Sequence, residues 1–196
     1  MKSRREMVIL VLLLIGFLAI PQISFSEDNL NYLEKGTREI GISTGYGFSK
    51  GAERYVESVP LNLHWGCVFT DPKGKSIFRG NWEFLVEGSL NYLFHGQRKY
   101  GIGATGLIRY NFLAGKRLVP YLQAGVGILH TNLEMHNFPN DFNFSPQAGL
   151  GIQYFISKNT AIRGEYRLQH ISNAGLYKNN TGLNMNNFWI GYAYFF

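Results

Sequence analysis

Residues 160–172 read TAIRGEYRLQHIS, and the pattern in that stretch decides the architecture. Successive side chains along a β-strand point to opposite faces. Counting back from Ser172, one face carries His170, Leu168, Tyr166, Gly164 and Ile162. The other carries Gln169, Arg167, Glu165 and Arg163. The apolar face therefore ends in a base and a hydroxyl, side by side. A face of this kind is expected to meet lipid, so the placement points to chemistry on a lipid.

The same period of two recurs through the chain, with no sustained helical period after residue 27. Eight runs are expected as strands, over 38–48, 56–69, 81–94, 100–113, 119–131, 143–156, 160–172 and 186–196. In the first, Ile40, Ile42, Thr44, Tyr46 and Phe48 oppose Gly41, Ser43, Gly45 and Gly47. In the third, Trp82, Phe84, Val86, Leu90 and Tyr92 oppose Glu83, Glu87, Ser89 and Asn91. Large aromatics on one face, with small residues and charges on the other, fit a soluble sandwich poorly. They fit an eight-stranded antiparallel up-and-down transmembrane β-barrel, with an apolar belt outside and a narrow polar interior. The last run ends on Phe196, with Tyr194 and Tyr192 at alternate positions, as the terminal strands of bacterial outer-membrane barrels do.

The start of the chain reads differently. Lys2, Arg4 and Arg5 precede an apolar run from Met7 to Ile20, and Ser24-Phe25-Ser26 offers a cleavage site. Residues 1–26 are thus expected to be a cleaved signal peptide, and 27–196 a single barrel domain. The chain holds one cysteine, Cys67, on the apolar face with Leu63, Trp65 and Phe69, so no disulfide staples the fold. Barrels of this class keep both termini in the periplasm and their longer loops outside. His170 and Ser172 then sit at the level of the outer leaflet, facing lipid.

A serine hydroxyl becomes a nucleophile when a neighbouring imidazole takes its proton. His-x-Ser on one strand brings the two Cα atoms to roughly 6.5–7 Å, near enough for the side chains to meet. Asn173, Ala174 and Gly175 follow the serine directly and are candidate donors to an oxyanion. Glu165 is on the opposite face and about 16 Å down the strand, out of reach of the imidazole. Glu134 and Asp141 fall in the expected loop between strands five and six, where nothing in the sequence fixes them. His64, His95, His130 and His136 show no metal-ligand spacing. Lys50, Arg54, Arg98 and Lys99 are expected in external loops, solvated or facing lipid phosphates.

From Pro120 onward the chain resembles the bacterial lipid A 3-O-deacylase (PagL-like) family. The resemblance is carried by Val119-Pro120-Tyr121, Ala124-Gly125-Val126-Gly127, Phe144 to Gly151, Glu165-Tyr166-Arg167, His170-Ile171-Ser172-Asn173-Ala174, Asn180-Thr181-Gly182-Leu183-Asn184 and the aromatic terminus. The earlier strands are similar only in style. The resemblance implies an outer-membrane serine esterase that removes the 3-hydroxyacyl chain from position 3 of lipid A in lipopolysaccharide. It implies Ser172 as nucleophile and His170 as general base. The family places a Glu two residues after the Gly of Asn-x-Gly, where this chain has Asn184. An asparagine can hold a histidine tautomer but brings no charge to an imidazolium. The site is also similar to that of the outer-membrane phospholipase A family, whose barrel has more strands. The expected partners are lipid A and the outer membrane, with no cofactor, metal or nucleic acid, and a homodimer left open. Two other readings stand beside this one: a non-enzymatic structural or adhesive barrel, and a phospholipase-type hydrolase.

Overall fold

The computed structural model describes residues 33–49, 55–95, 97–115, 117–133, 142–176 and 182–196, with the side chains of residues 95, 97 and 98 excepted. The expected signal peptide, Lys50, Arg54, Glu134, His136, Asp141 and Asn180-Thr181 lie outside those residues. The strands are Arg38–Ser49 (β1), Glu57–Val68 (β2), Gly80–His95 (β3), Gln97–Phe112 (β4), Leu118–Thr131 (β5), Phe142–Ser157 (β6), Thr160–Ile171 (β7) and Leu183–Phe195 (β8). Each pairs antiparallel with the next, and β8 returns to β1, so the sheet closes into an eight-stranded barrel with no free edge. Arg38 and Phe196 complete the seam by exchanging backbone hydrogen bonds of 2.9 Å.

Two boundaries differ from the sequence reading by three residues, the others by one at most. The β3–β4 hairpin is tight, with His95 opposite Gln97, so Arg98 and Lys99 lie in β4 rather than in a loop. β8 begins at Leu183, three residues earlier than expected, because its ladder with β7 continues up to Ile171. Asn184, placed in a loop by the sequence reading, is therefore a strand residue. A polar side chain at Asn184, where a lipid-facing apolar residue would normally stand, hid that extension.

The faces sort as the alternation demands. Leu63 is 61 % exposed and Leu150 57 %, whereas Glu39 and Glu83 are fully buried. Water would not tolerate the first pair across a continuous belt, and hydrocarbon would not tolerate the second pair outside. The buried charges are joined. Arg167 bridges Glu87 at 2.8 Å and Glu165 at 2.5 Å. Arg109 meets Glu39 at 3.3 Å and Glu83 at 3.4 Å, and Arg163 also binds Glu39. An unpaired charge in so narrow a lumen would cost several kcal/mol, and the pairing offsets that cost. Close packing also explains a small residue here: a Cβ on Gly151 would strike the Tyr121 ring.

Apolar clusters close the two ends of this polar column. One contains Val56, Leu93, Leu129, Leu133, Ile171, Leu183 and Met185. The other contains Leu33, Val68, Val119, Phe155, Ala161, Ala193 and Phe195. The described lumen is thus a packed core, as expected for eight strands.

Candidate active site

The site grows from the upper ends of β7 and β8. The ladder sets His170 directly opposite Asn184, and both side chains are exposed on the barrel exterior. The His170 Nδ1 lies 2.6 Å from the Asn184 Oδ1. An amide oxygen only accepts, so Nδ1 carries the proton and donates it. The Nε2 lone pair is then left free, which is the tautomer a general base requires.

Ser172 stands one strand step above His170 on the same face. β7 ends at Ile171, but Ser172 is still fixed by a two-way backbone pairing with Phe144 of β6: Phe144 N donates to Ser172 O at 2.7 Å, and Ser172 N to Phe144 O at 3.0 Å. The side chain is half-buried. Among the described residues its hydroxyl has no hydrogen-bond partner, so the Ser172–His170 bond is not formed in this structure. Such bonds commonly tighten only when substrate arrives.

The three oxyanion candidates are placed differently from one another. Asn173 is fully buried, and its Oδ1 accepts from the Gly175 N–H at 3.0 Å. Its carbonyl accepts from the Leu176 N–H at 3.1 Å. Asn173 therefore builds the turn, and the Gly175 donor is already committed to it. Ala174 and Gly175 both have positive φ, 52° and 83°, a region that an alanine seldom adopts. Both are exposed, and the Ala174 N–H is uncommitted among the described residues.

Sequence reasoning gave Gly182 no separate role. It lies just before β8 with φ +66°, level with Ser172 across the extended β7–β8 register. A Cβ there would collide with Cε1 and Nε2 of the His170 ring. The missing side chain leaves the imidazole room to turn Nε2 toward the level of Ser172. The available signal was the glycine two residues before Asn184.

Glu165 is on the inner face, bonded to Tyr121 at 2.8 Å, Gln123 at 2.9 Å and Arg167. It belongs to the lumen network and not to the site. An open groove of about 480 Å³ starts at His170 and Asn184 and continues over Leu168, Pro146, Ala148 and Ala124. The floor is apolar and shallow, shaped for a hydrocarbon chain rather than a polar ligand.

A family model described as lipid A 3-O-deacylase (PagL) matches residues 57–193. The outer membrane protein PagN of Salmonella typhimurium (strain LT2) is 26 % identical over 159 residues, which cover 74 % of this chain. The chain spans 62 % of that relative's length. Among solved structures, the crystal structure of the outer membrane enzyme PagL superimposes with a TM-score of 0.61 at 20 % identity, covering 78 % of this chain and 97 % of its own. Neisserial surface protein A superimposes with a TM-score of 0.59 at 15 % identity, covering 82 % and 99 %. At those identities the two superpositions speak for the barrel alone.

Proposed function

Because this chain belongs to the lipid A 3-O-deacylase (PagL) family of the bacterial outer membrane, we propose that it hydrolyses the ester holding the 3-hydroxyacyl chain at position 3 of lipid A. The observation that carries this reading is the 2.6 Å contact between His170 Nδ1 and Asn184 Oδ1 on the lipid-facing wall. A histidine held in one tautomer on the outside of a barrel, beside a serine, has no evident structural purpose there.

Ser172 Oγ attacks the ester carbonyl carbon, and its proton passes to His170 Nε2. The uncommitted Ala174 N–H, in the turn built by Asn173 and Gly175, donates to the developing oxyanion. The bond between the acyl carbon and the sugar oxygen breaks, and His170 returns the proton to that oxygen. A water, deprotonated by the same imidazole, then attacks the acyl-enzyme, and the fatty acid and free Ser172 result. Asn184 keeps the imidazole oriented throughout. The groove below His170 receives the chain being released. No cofactor enters this sequence.

The test is lipid A mass profiling in cells expressing the protein. Wild type is expected to give a species short of one 3-hydroxyacyl chain. Ser172→Ala, with its barrel folded, is expected to lose release by on the order of 10³-fold or more. Full release by that variant would remove Ser172 from the mechanism. Asn184 in place of a carboxylate favours one rival, a barrel that keeps the fold without the reaction. Absence of release from every lipid ester by wild type would establish that rival. Faster turnover of phospholipid than of lipid A, offered side by side, would establish a phospholipase instead.

A further inference from the structure

The connection between β2 and β3 lies at the barrel end that carries the chain termini, opposite to His170 and Ser172. Outer-membrane barrels place that end in the periplasm and usually close it with short turns. This connection is long and ordered. Lys73 and Gly80 exchange backbone hydrogen bonds of 2.8 and 2.9 Å, and Phe78 N and Arg79 N donate back to Lys75 O and Ser76 O. The single helical turn Ser76–Phe78 is held with Ser76 at φ +53°. The Tyr110 hydroxyl, on the outer wall, donates to Phe78 O at 2.8 Å and draws the segment over the membrane-facing side.

The result is a composite surface. Ile77 and Phe78 are 64 % and 68 % exposed. Phe78 forms one wall of an open groove of about 520 Å³, completed by Trp82, Ile108, Tyr110, Leu122 and Ala124. Lys73, Lys75 and Arg79 are exposed around the same turn, with Asp71 as its acid. An apolar trough walled by a turn that carries three exposed cations matches a molecule with a hydrocarbon tail and an anionic head. The trough opens onto the membrane, so the tail comes from the bilayer.

We propose that this turn and groove form a docking site for an anionic glycerophospholipid of the periplasmic leaflet. One acyl chain lies along Trp82 and Leu122, and the phosphate meets Lys73, Lys75 and Arg79. Its cations lie at the barrel end opposite His170 and Ser172, the two grooves share Ala124 alone among their lining residues, and the proposal holds whether or not the barrel hydrolyses lipid A.

The full barrel, purified in detergent and equilibrated with equal phosphatidylglycerol and phosphatidylcholine, is read by native mass spectrometry. Wild type is expected to retain phosphatidylglycerol over phosphatidylcholine on the order of fivefold or more. The triple variant Lys73→Glu/Lys75→Glu/Arg79→Glu is expected to lose that preference. Leu122→Trp, which fills the groove, should reduce retention of both lipids. Added glycerol phosphate should displace neither. If the charge-reversal variant does not fold, Lys73→Gln/Lys75→Gln/Arg79→Gln takes its place. Equal retention of the two lipids by wild type overturns the proposal. So does a preference that survives loss of the three cations, or displacement by glycerol phosphate.

Discussion

In the proposed mechanism, Asn184 is the residue on which the chemistry turns. It satisfies the histidine with a neutral dipole, where a carboxylate would add charge to the imidazolium formed during proton transfer. Orientation is kept and part of the electrostatic stabilisation is lost. Asn184→Ala should therefore lower kcat on the order of 10²-fold with little change in KM, as expected when a base loses its orienting partner. Asn184→Glu should match or exceed wild type. Ester turnover by both variants, followed in parallel with heat-dependent gel mobility to confirm folding, decides the matter. An Asn184→Ala enzyme with unchanged kcat would show that the contact at 2.6 Å is incidental.

At the level of elements, the β7–β8 hairpin is what assembles the candidate site. Its ladder brings Asn184 to His170 and sets Gly182 level with Ser172. The bridge from Ser172 to Phe144 ties the hairpin to β6 as well. The backbone of three strands thus positions three side chains and one absent side chain. Gly182→Ala should push the imidazole off its seat, because the new Cβ meets Cε1 and Nε2. We expect kcat to fall at least tenfold with KM nearly unchanged, and the Asn184→Glu substitution should not restore it. A purely structural role predicts the reverse, a lower melting temperature with normal kcat in the folded fraction. The positive φ at this position adds strain on the order of 1 kcal/mol for any side chain, so stability is measured alongside.

The whole molecule is a packed cylinder that presents His170 and Asn184, the candidate site residues, outward. Its lumen is filled by ion pairs and capped at both ends by apolar clusters. Arg167 has Glu87, Glu165 and Gln147 as partners and the Trp189 ring 5.3 Å away. Arg167→Met should destabilise the barrel by about 3–5 kcal/mol, since two carboxylates would lose their partner in a confined space. Urea unfolding in vesicles measures this directly. A change within about 0.5 kcal/mol, the range of ordinary surface substitutions, would mean that water fills the lumen and screens those charges.

The sequence by itself determined the barrel, its eight strands, the sorting of faces and the placement of His170 and Ser172 at alternate positions at the end of one strand. These follow from a strict period of two, which needs only local information: apolar residues outward, charged and small residues inward. It also carried the family likeness through His170-Ile171-Ser172-Asn173-Ala174. Tertiary structure alone decided what depends on register between strands. The extension of β8 to Leu183, the meeting of Asn184 with His170, the seat left by Gly182 and the burial of Asn173 all arise from cross-strand placement. So does the folding of the β2–β3 turn over Trp82 and Tyr110. Register is a relation between distant segments, and alternation within one segment cannot specify it.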